Sequence, residues 1–530
     1  MGKIRFIEAN FHYDGDDAMI FEGLNLEIDT AWKSAIVARN GKGKTTLLRL
    51  MDGQLNLTSG HLVKDVTTAY FPLEIANPEQ LVLTLMKTYM GPFLECEEIL
   101  ENFVEGEAYY EAMATYLDLG GYELEADIKR ECHRLKLKES VLNRPYEELS
   151  GGERTKIQMI MLFLRQEGFV LLDEPTNHLD MEGIDALGRY LASQSGYTVV
   201  SHHRDFLNLC ADHVIALEKD SVVVRQDNFA GYDADYKNRQ NLENKQRGKA
   251  QKEADRLAYA MNQRKNWSNK VEATKKKPSN SGSNGDLGFH DKGFIGAKSA
   301  KLMKRAKSIE ARREKELEQK TALVKYQEHV PHLKFSQGAA LKELLRVSQL
   351  AIGYEEEVLA EGIDFVLKPG DRLAIRGPNG CGKTTFLRTL LGENPPMSGL
   401  IKKDNRVKIA YVSQIPRYQL GHLREIIKEL GLEESRFRSL LGAFSCHRDI
   451  FERDLSTFSL GELKKVDLAM SLYDESHLLI WDEPLNGLDI MTRQAIEEAI
   501  LEQKPTLIFT EHDAEFVSRV STGEVWLDKS

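Results

Sequence analysis

Cysteine is scarce and unpatterned in this 530-residue chain: Cys96, Cys132, Cys210, Cys381 and Cys446 include no Cys-x-x-Cys pair. That argues against an iron–sulfur module or a zinc hook and fits thiols kept reduced. Long apolar runs are missing too. Nothing approaches the ~18–20 residues that span a bilayer, and the opening Met1-Gly2-Lys3-Ile4-Arg5-Phe6 has no signal-peptide apolar region. The expectation is a soluble, cytoplasmic protein without a membrane domain, long enough for roughly three domains. What is plentiful is charge, and its signs are segregated. Residues 237 to 320 hold 23 Lys and Arg against 10 Asp and Glu, about +13 in a chain of net charge -11, so the remainder sums to about -24. A basic, helix-forming stretch of this kind is either a solvated spacer or a footprint for a polyanion such as nucleic acid. What flanks it decides between them.

In the first half, the alternating Ile4 to Ala9 reads as a strand leading to Tyr13 in a polar loop. A buried-strand pattern, Ser34-Ala35-Ile36-Val37, then runs into Ala38-Arg39-Asn40-Gly41-Lys42-Gly43-Lys44-Thr45-Thr46 and a helix. Strand, glycine loop and helix are the context of a P-loop. Its backbone N–H groups turn onto phosphate oxygens, Lys44 neutralises β and γ charge, and the Thr45 hydroxyl suits Mg²⁺. Ala38 stands where the pattern has its first glycine, which is tolerable if φ there stays negative. Ser150-Gly151-Gly152-Glu153 opens a second helix, another anion-binding end. The apolar strand Phe169 to Leu172 ends in Asp173 and Glu174, suited to holding Mg²⁺ through water and to polarising an attacking water. Thr198-Val199-Val200 delivers His202 to the same sheet edge.

The series recurs in the second half. Tyr354 parallels Tyr13, and Gly377-Pro378-Asn379-Gly380-Cys381-Gly382-Lys383-Thr384-Thr385 is an intact P-loop. Gln414 follows a strand, Ser459-Leu460-Gly461-Glu462 occupies the place of Ser150 to Glu153, and Asp482, Glu483 and His512 follow. Ser150 to Ser459 and Glu174 to Glu483 are offset by 309 residues, but Lys44 to Lys383 by 339. The first copy therefore carries about 30 extra residues, placed in a helical, arm-like insertion at about 90–138.

P-loop, Ser-Gly-Gly-Glu, apolar-Asp-Glu-Pro and Ser-His, in that order and twice, resemble the nucleotide-binding domain of the ATP-binding-cassette (ABC) superfamily. The resemblance implies an α/β fold with two P-loop ABC ATPase domains, and two composite ATP sites made by head-to-tail docking. The first would join Tyr13, Asn40, Gly41, Gly43, Lys44, Thr45, Thr46, Asp173, Glu174 and His202 to Ser459 and Gly461. The second would join Tyr354, Gly377, Asn379, Gly380, Gly382, Lys383, Thr384, Thr385, Gln414, Asp482, Glu483 and His512 to Ser150, Gly151 and Gly152. In this assignment Glu174, Glu483, His202 and His512 are catalytic, the tyrosines stack on adenine, and Thr45, Asp173, Thr384, Gln414 and Asp482 face Mg²⁺. All departures fall on the first site: Ala38, Leu73 where cassettes place glutamine, and Leu460 in the facing signature. It is expected to bind ATP firmly and turn over slowly.

Tandem cassettes joined by a charged two-helix linker are similar to the ABC-F family of ribosome-associated translation factors, over essentially the whole length. The implied domains are 1–235, a linker hairpin over 236–335 with its tip at 278–297, and 336–530. Helices are expected from Tyr236 to about Lys277, after an Asn228 to Tyr236 motif, and from about Ala297 to Val330. The resemblance implies a monomer binding the bacterial 70S ribosome at the tRNA exit site, its linker towards the P-site tRNA and the large-subunit rRNA. Lys275, Lys276, Lys277, Lys301, Lys304 and Arg305 would then contact phosphates. Phe289 and Phe294 at the tip either stack on bases or pack onto the hairpin itself. The tip, the short insertion and Trp481-Asp482-Glu483-Pro484-Leu485-Asn486 look like the antibiotic-resistance branch acting against lincosamides, streptogramin A and pleuromutilins. A housekeeping ABC-F factor that rescues stalled ribosomes and a coiled-coil ABC ATPase acting on DNA are the alternatives.

Overall fold

A computed structural model of the chain describes residues 2–13, 15, 19–102, 106–165, 168–177, 179–218, 221–242, 245, 249, 252, 256, 259, 333–335, 338, 341–354, 357–378, 380–446 and 448–527. The chain divides into two compact units, 1–232 together with 331–530, and 233–330. Both motif-bearing halves lie in the first unit.

In the first half, β3 (Lys33–Ala38), β5 (Thr68–Phe71), β6 (Phe169–Asp173), β7 (Tyr197–Val200), β8 (His213–Leu217) and β9 (Val222–Arg225) form a six-stranded sheet in the order β5-β6-β7-β3-β8-β9. All neighbours are parallel except β8 and β9. Parallel strands are covered on both faces, which is why β6, β7 and β8 are nearly continuous apolar runs with buried side chains. The adjacency of β6, β7 and β3 has a functional consequence. It sets the ends carrying Asp173, Ser201 and the P-loop side by side at the carboxyl edge, where open α/β sheets bind ligands. A smaller antiparallel sheet, β2-β1-β4, is built from β1 (Lys3–Phe11), β2 (Phe21–Asp29) and β4 (Ser59–Lys64). Its inward residues Ile4, Phe6, Leu26 and Ile28 share a core with the P-loop helix Lys44–Asp52.

The second half repeats this plan. β12 (Arg372–Arg376), β14 (Ile409–Val412), β15 (Leu478–Asp482), β16 (Leu507–Thr510) and β17 (Gly523–Trp526) form a parallel sheet, β14-β15-β16-β12-β17. β10 (Leu345–Tyr354), β11 (Glu357–Leu367) and β13 (Ser398–Lys403) form its antiparallel partner. Trp481 is wholly buried in β15, one residue before Asp482.

The halves differ most between the P-loop helix and the signature helix. An isolated bridge joins Leu81 to Pro145 in the first and His422 to Asp454 in the second, and the first bracket encloses twice as many residues. The surplus includes helices Phe93–Glu101 and Glu107–Asp118, packed about a small core of Phe93, Cys96, Ala112 and Tyr116.

Residues 229–242 are helical, and Asn228 Oδ1 accepts the Gly231 amide, as an N-cap does. The stretch Asn228 to Tyr236, expected ahead of the linker helix, is thus its cap and first turns: the asparagine supplies the acceptor that the first-turn amides need. In the second unit, Lys237 pairs with Asp233 one turn earlier at 2.6 Å. Lys275, Lys276, Lys277, Phe289, Phe294, Lys301, Lys304 and Arg305 lie outside the described residues, as does the expected tip.

Candidate functional site

Both P-loops bend through left-handed glycines at their second and third glycine positions: Gly41 at φ 77° and Gly43 at 82°, Gly380 at 79° and Gly382 at 95°. Only glycine enters that region without cost. At the first position the loops part company. Gly377 has φ 149°, and a Cβ there would come within 2.5 Å of Cys381 Sγ and the Leu527 carbonyl, whereas Ala38 ends β3 without a positive φ. The alanine is accommodated because the backbone never needs glycine there. Each lysine folds back over its own loop. Lys44 Nζ donates to the Ala38 carbonyl at 3.2 Å and to Asn40 Oδ1 at 3.3 Å, and Lys383 Nζ to the Gly377 carbonyl at 2.9 Å. Burial pulls the Lys44 ammonium below its usual range, against the raising effect of Glu174, Asp489 and Asp173.

Tyr13 and Tyr354 are tied to the P-loop helices in the same way. Their hydroxyls lie 2.9 Å from Thr46 Oγ1 and 3.0 Å from Thr385 Oγ1, which fixes both rings beside the loops while leaving them exposed.

The carboxylates follow. Glu174 and Glu483 both sit just past their strands at positive φ, 52° and 48°. His202 Nε2 is 2.9 Å from Glu174 Oε1, and His512 Nε2 is 3.2 Å from Glu483 Oε1. Burial works against the charge on each glutamate, yet the facing histidine and lysine outweigh it and hold both pKa values below normal. Both are therefore ionised near neutral pH and able to accept a proton. Gln414 also bonds Glu483. At the corresponding position Leu73 offers only its backbone, which exchanges two hydrogen bonds with the Gln158 side chain.

The strand-end aspartates are held differently. Thr384 Oγ1 donates to Asp482 Oδ2 at 2.7 Å and Thr510 Oγ1 to Asp482 Oδ1 at 2.6 Å. In the first half Tyr70 donates to Asp173 Oδ2 at 2.9 Å, Thr45 bonds the same carboxylate, and Asp173 Oδ1 is buried with no hydrogen-bond partner. A buried carboxylate oxygen without a partner, beside the P-loop threonine, fits a hard cation with oxygen ligands. Among the described residues there is no group of three His, Cys, Asp or Glu able to hold a metal. Mg²⁺ takes one or two carboxylates and completes its shell from phosphate and water.

The two halves meet across these sites. Asn40 of the first P-loop donates its amide to Asp489 Oδ2 at 3.2 Å and its side chain to the Gly487 carbonyl at 2.8 Å. Gly461 lies against the same atoms: a Cβ there would fall 2.3 Å from the Gly487 carbonyl and 2.5 Å from Asn40 Nδ2. The signature serines Ser150 and Ser459 each close a capping box with Glu153 and Glu462 at the head of helices Gly151–Leu164 and Leu460–Tyr473. Around the second P-loop lies a cavity of about 630 Å³, lined by Tyr354, Gly380, Gly382, Lys383, Thr384, Thr385, Gln414, Glu483 and His512. Its first-half wall is Thr176, Asn177, Leu179 and His203; Ser150, Gly151 and Gly152 are not among its lining residues. Asn379 lies outside the described residues. Sequence reasoning missed this wall, along with Asp489, Arg493 and Glu511. The Thr-Asn-x-Leu-Asp order after Glu174 was its one available signal.

Among the described residues no helix is long and apolar enough to cross a membrane. A profile described as ABC transporter matches residues 21–177 and 360–486. The putative ATP-binding protein YdiF of Bacillus subtilis is 30% identical over 96% of this chain and 78% of its own length. The ribosome protection protein VmlR of the same organism is 26% identical over 98% of this chain and 85% of its own. An archaeal ribosome recycling factor, aABCE1, crystallised with a ribosomal stalk protein, has the same fold: TM-score 0.58 at 18% identity, covering 98% of this chain and 87% of that one.

Proposed function

Because this chain belongs to the ABC transporter family, as an ABC-F ATPase with tandem cassettes, we propose that it spends ATP on the bacterial ribosome and protects the peptidyl-transferase centre from antibiotics. ATP hydrolysis to ADP and phosphate is its reaction. The observation that carries the ribosomal reading is the likeness over 98% of this chain to a protein named for ribosome protection, with the P-loop lysine, the strand-end Asp-Glu pair and the histidine present in both cassettes.

In this reading Lys44 and Lys383 hold the β- and γ-phosphates, and Tyr13 and Tyr354 face the adenines. Glu174 and Glu483 take the proton of the attacking water, oriented by His202 and His512. Mg²⁺ held through Thr45 and Asp173, or Thr384, Gln414 and Asp482, would neutralise charge on the phosphate oxygens. Gly461, already against Asn40, and Ser459 close the first site, and Ser150, Gly151 and Gly152 close the second. The γ-phosphate then acts as the link between halves, and hydrolysis removes it. The closed form binds at the tRNA exit site, and the basic linker, Lys275 to Lys277, Lys301, Lys304 and Arg305 included, lies along RNA and displaces drugs by shifting the P-site tRNA.

Glu174→Gln/Glu483→Gln protein with ATP is expected to sediment with 70S ribosomes at moderate salt, and expression of the wild type should raise the inhibitory concentration of lincosamides, streptogramin A or pleuromutilins. Failure of the first result removes the ribosomal role. Success of the first with no change in any of the three drug classes favours the second reading, a housekeeping translation factor. That reading is supported by 26% identity to the energy-dependent translational throttle protein EttA of Mycobacterium tuberculosis, over 96% of this chain and 88% of that protein.

A further inference from the structure

The signature helix Leu460–Tyr473 of the second cassette is capped by Ser459, presents Gly461 to Asn40 of the first P-loop, and ends in the core of its own cassette. Two successive lysines leave it in different directions. Lys465 reaches Asp489 at 3.6 Å, the residue that accepts the Asn40 amide at the first site. Lys464 turns the other way. It is wholly buried, and its Nζ donates to the Ser413 carbonyl at 2.7 Å, immediately before Gln414. One turn on, buried Asp467 accepts the Arg417 amide at 3.1 Å. The loop carrying Gln414 is thus gripped on both sides by a cation and an anion from one helix.

The first cassette has no such grip. At the matching positions stand Thr155 and Gln158, and Gln158 binds both backbone groups of Leu73, the counterpart of Gln414. There the helix holds the very residue whose side chain would face the nucleotide. In the second cassette the helix holds the residues around it and leaves Gln414 free to reach Glu483. A lysine buried in a core is retained at a large desolvation cost unless well compensated. Here the compensation comes from one carbonyl and from four carboxylates nearby: Asp467, Glu511, Asp482 and Glu483.

We propose that Lys464 and Asp467 are positioning residues for the second ATP site: together they set the Gln414 loop so that its side chain is held against Glu483. The helix that closes over the first nucleotide thereby also orders the water-orienting groups of the second. This rests on the assignment of Glu483 as the second site's base.

The test uses the full chain carrying Glu174→Gln, so that turnover reports the second site. Lys464→Met should lower kcat about tenfold while KM for ATP changes less than threefold. Adding Gln414→Ala to it should cost nothing further, because both changes disable one device. The graft Lys464→Thr/Asp467→Gln installs the neutral pair with which the first cassette folds, so it carries the test if Lys464→Met does not fold. It should bind ATP with unaltered KM and show the same tenfold loss of kcat. A graft with unaltered kcat overturns the proposal, as do losses from Lys464→Met and Gln414→Ala that multiply. Turnover that survives Glu174→Gln/Glu483→Gln overturns instead the assignment of Glu483, and the proposal with it.

Discussion

Arg204 of the first cassette and Glu497 of the second meet at 2.7 Å with both side chains almost entirely out of solvent. Asp513 lies 3.9 Å from the same guanidinium. The matching positions in the repeat are Ala514 and Gly188, so the pair has no twin and makes the docking of the halves asymmetric. Removing one partner of a buried pair leaves an uncompensated charge, whereas replacing both by apolar groups is far milder. Arg204→Met should therefore destabilise the chain by about 3 kcal/mol, the low end of the range since Arg519 also reaches Glu497. Arg204→Met/Glu497→Met should recover most of it. Denaturant unfolding of the four proteins of the cycle measures this, and strictly additive losses would contradict it.

Gly461 has no space for a methyl group between the Gly487 carbonyl and Asn40. Gly461→Ala should push the first P-loop off the second cassette and weaken ATP binding at the first site by about tenfold, the factor that ~1.4 kcal/mol of lost contact gives. Binding of a fluorescent ATP analogue to Lys383→Ala protein, which leaves the first site to report, is the measurement. Unchanged affinity would show that this contact does not contribute.

Glu511 occupies the place of Ser201 and ties two loops together, accepting the Leu485 amide at 2.7 Å and the His512 amide at 3.1 Å. Burial, seconded by Glu483 and opposed by Arg493 and His512, pushes its carboxyl from the ordinary 4.5 up to about 7. Between those two values the folded chain holds a proton that the unfolded chain has lost. The stability this group contributes is thus complete below pH 4.5 and gone above pH 7. Glu511→Gln cannot ionise. Relative to the wild type it should gain stability between pH 5 and pH 8, by up to ~3 kcal/mol, and parallel pH curves would exclude the effect.

Turnover should be dominated by the second site. Glu483 has both His512 and Gln414 beside it, whereas Glu174 has His202 and only the backbone of Leu73 at the other position. Losing a general base costs about 10²–10⁴-fold at the site it serves. Glu483→Gln should lower total ATPase about a hundredfold and Glu174→Gln less than about threefold. Steady-state phosphate release decides it; a larger loss from Glu174→Gln reverses the ranking.

The α/β fold with two cassettes was legible because each motif couples a residue type to a strand or helix end. Glycines that must adopt positive φ, a lysine behind them, and acids closing a wholly apolar strand leave few alternatives. Tyr13 and Tyr354 were legible from the repeat, although their threonine anchors were not. The start of the linker helix was misplaced because Asn228 reads as a loop residue and as a cap equally well.

The sequence by itself determined which side chains stand at the carboxyl edge of each sheet, since local periodicity and glycine placement set strand, loop and helix. Only the tertiary structure decided how the two edges differ. Tyr70 on Asp173 against Thr510 on Asp482, Gln158 on Leu73 against Lys464 on Ser413, and Arg204 on Glu497 join residues distant along the chain. Their side chains are ordinary in their local surroundings. What makes them matter is that packing removes water from them, and a desolvated polar group must find its partner wherever the fold has put one.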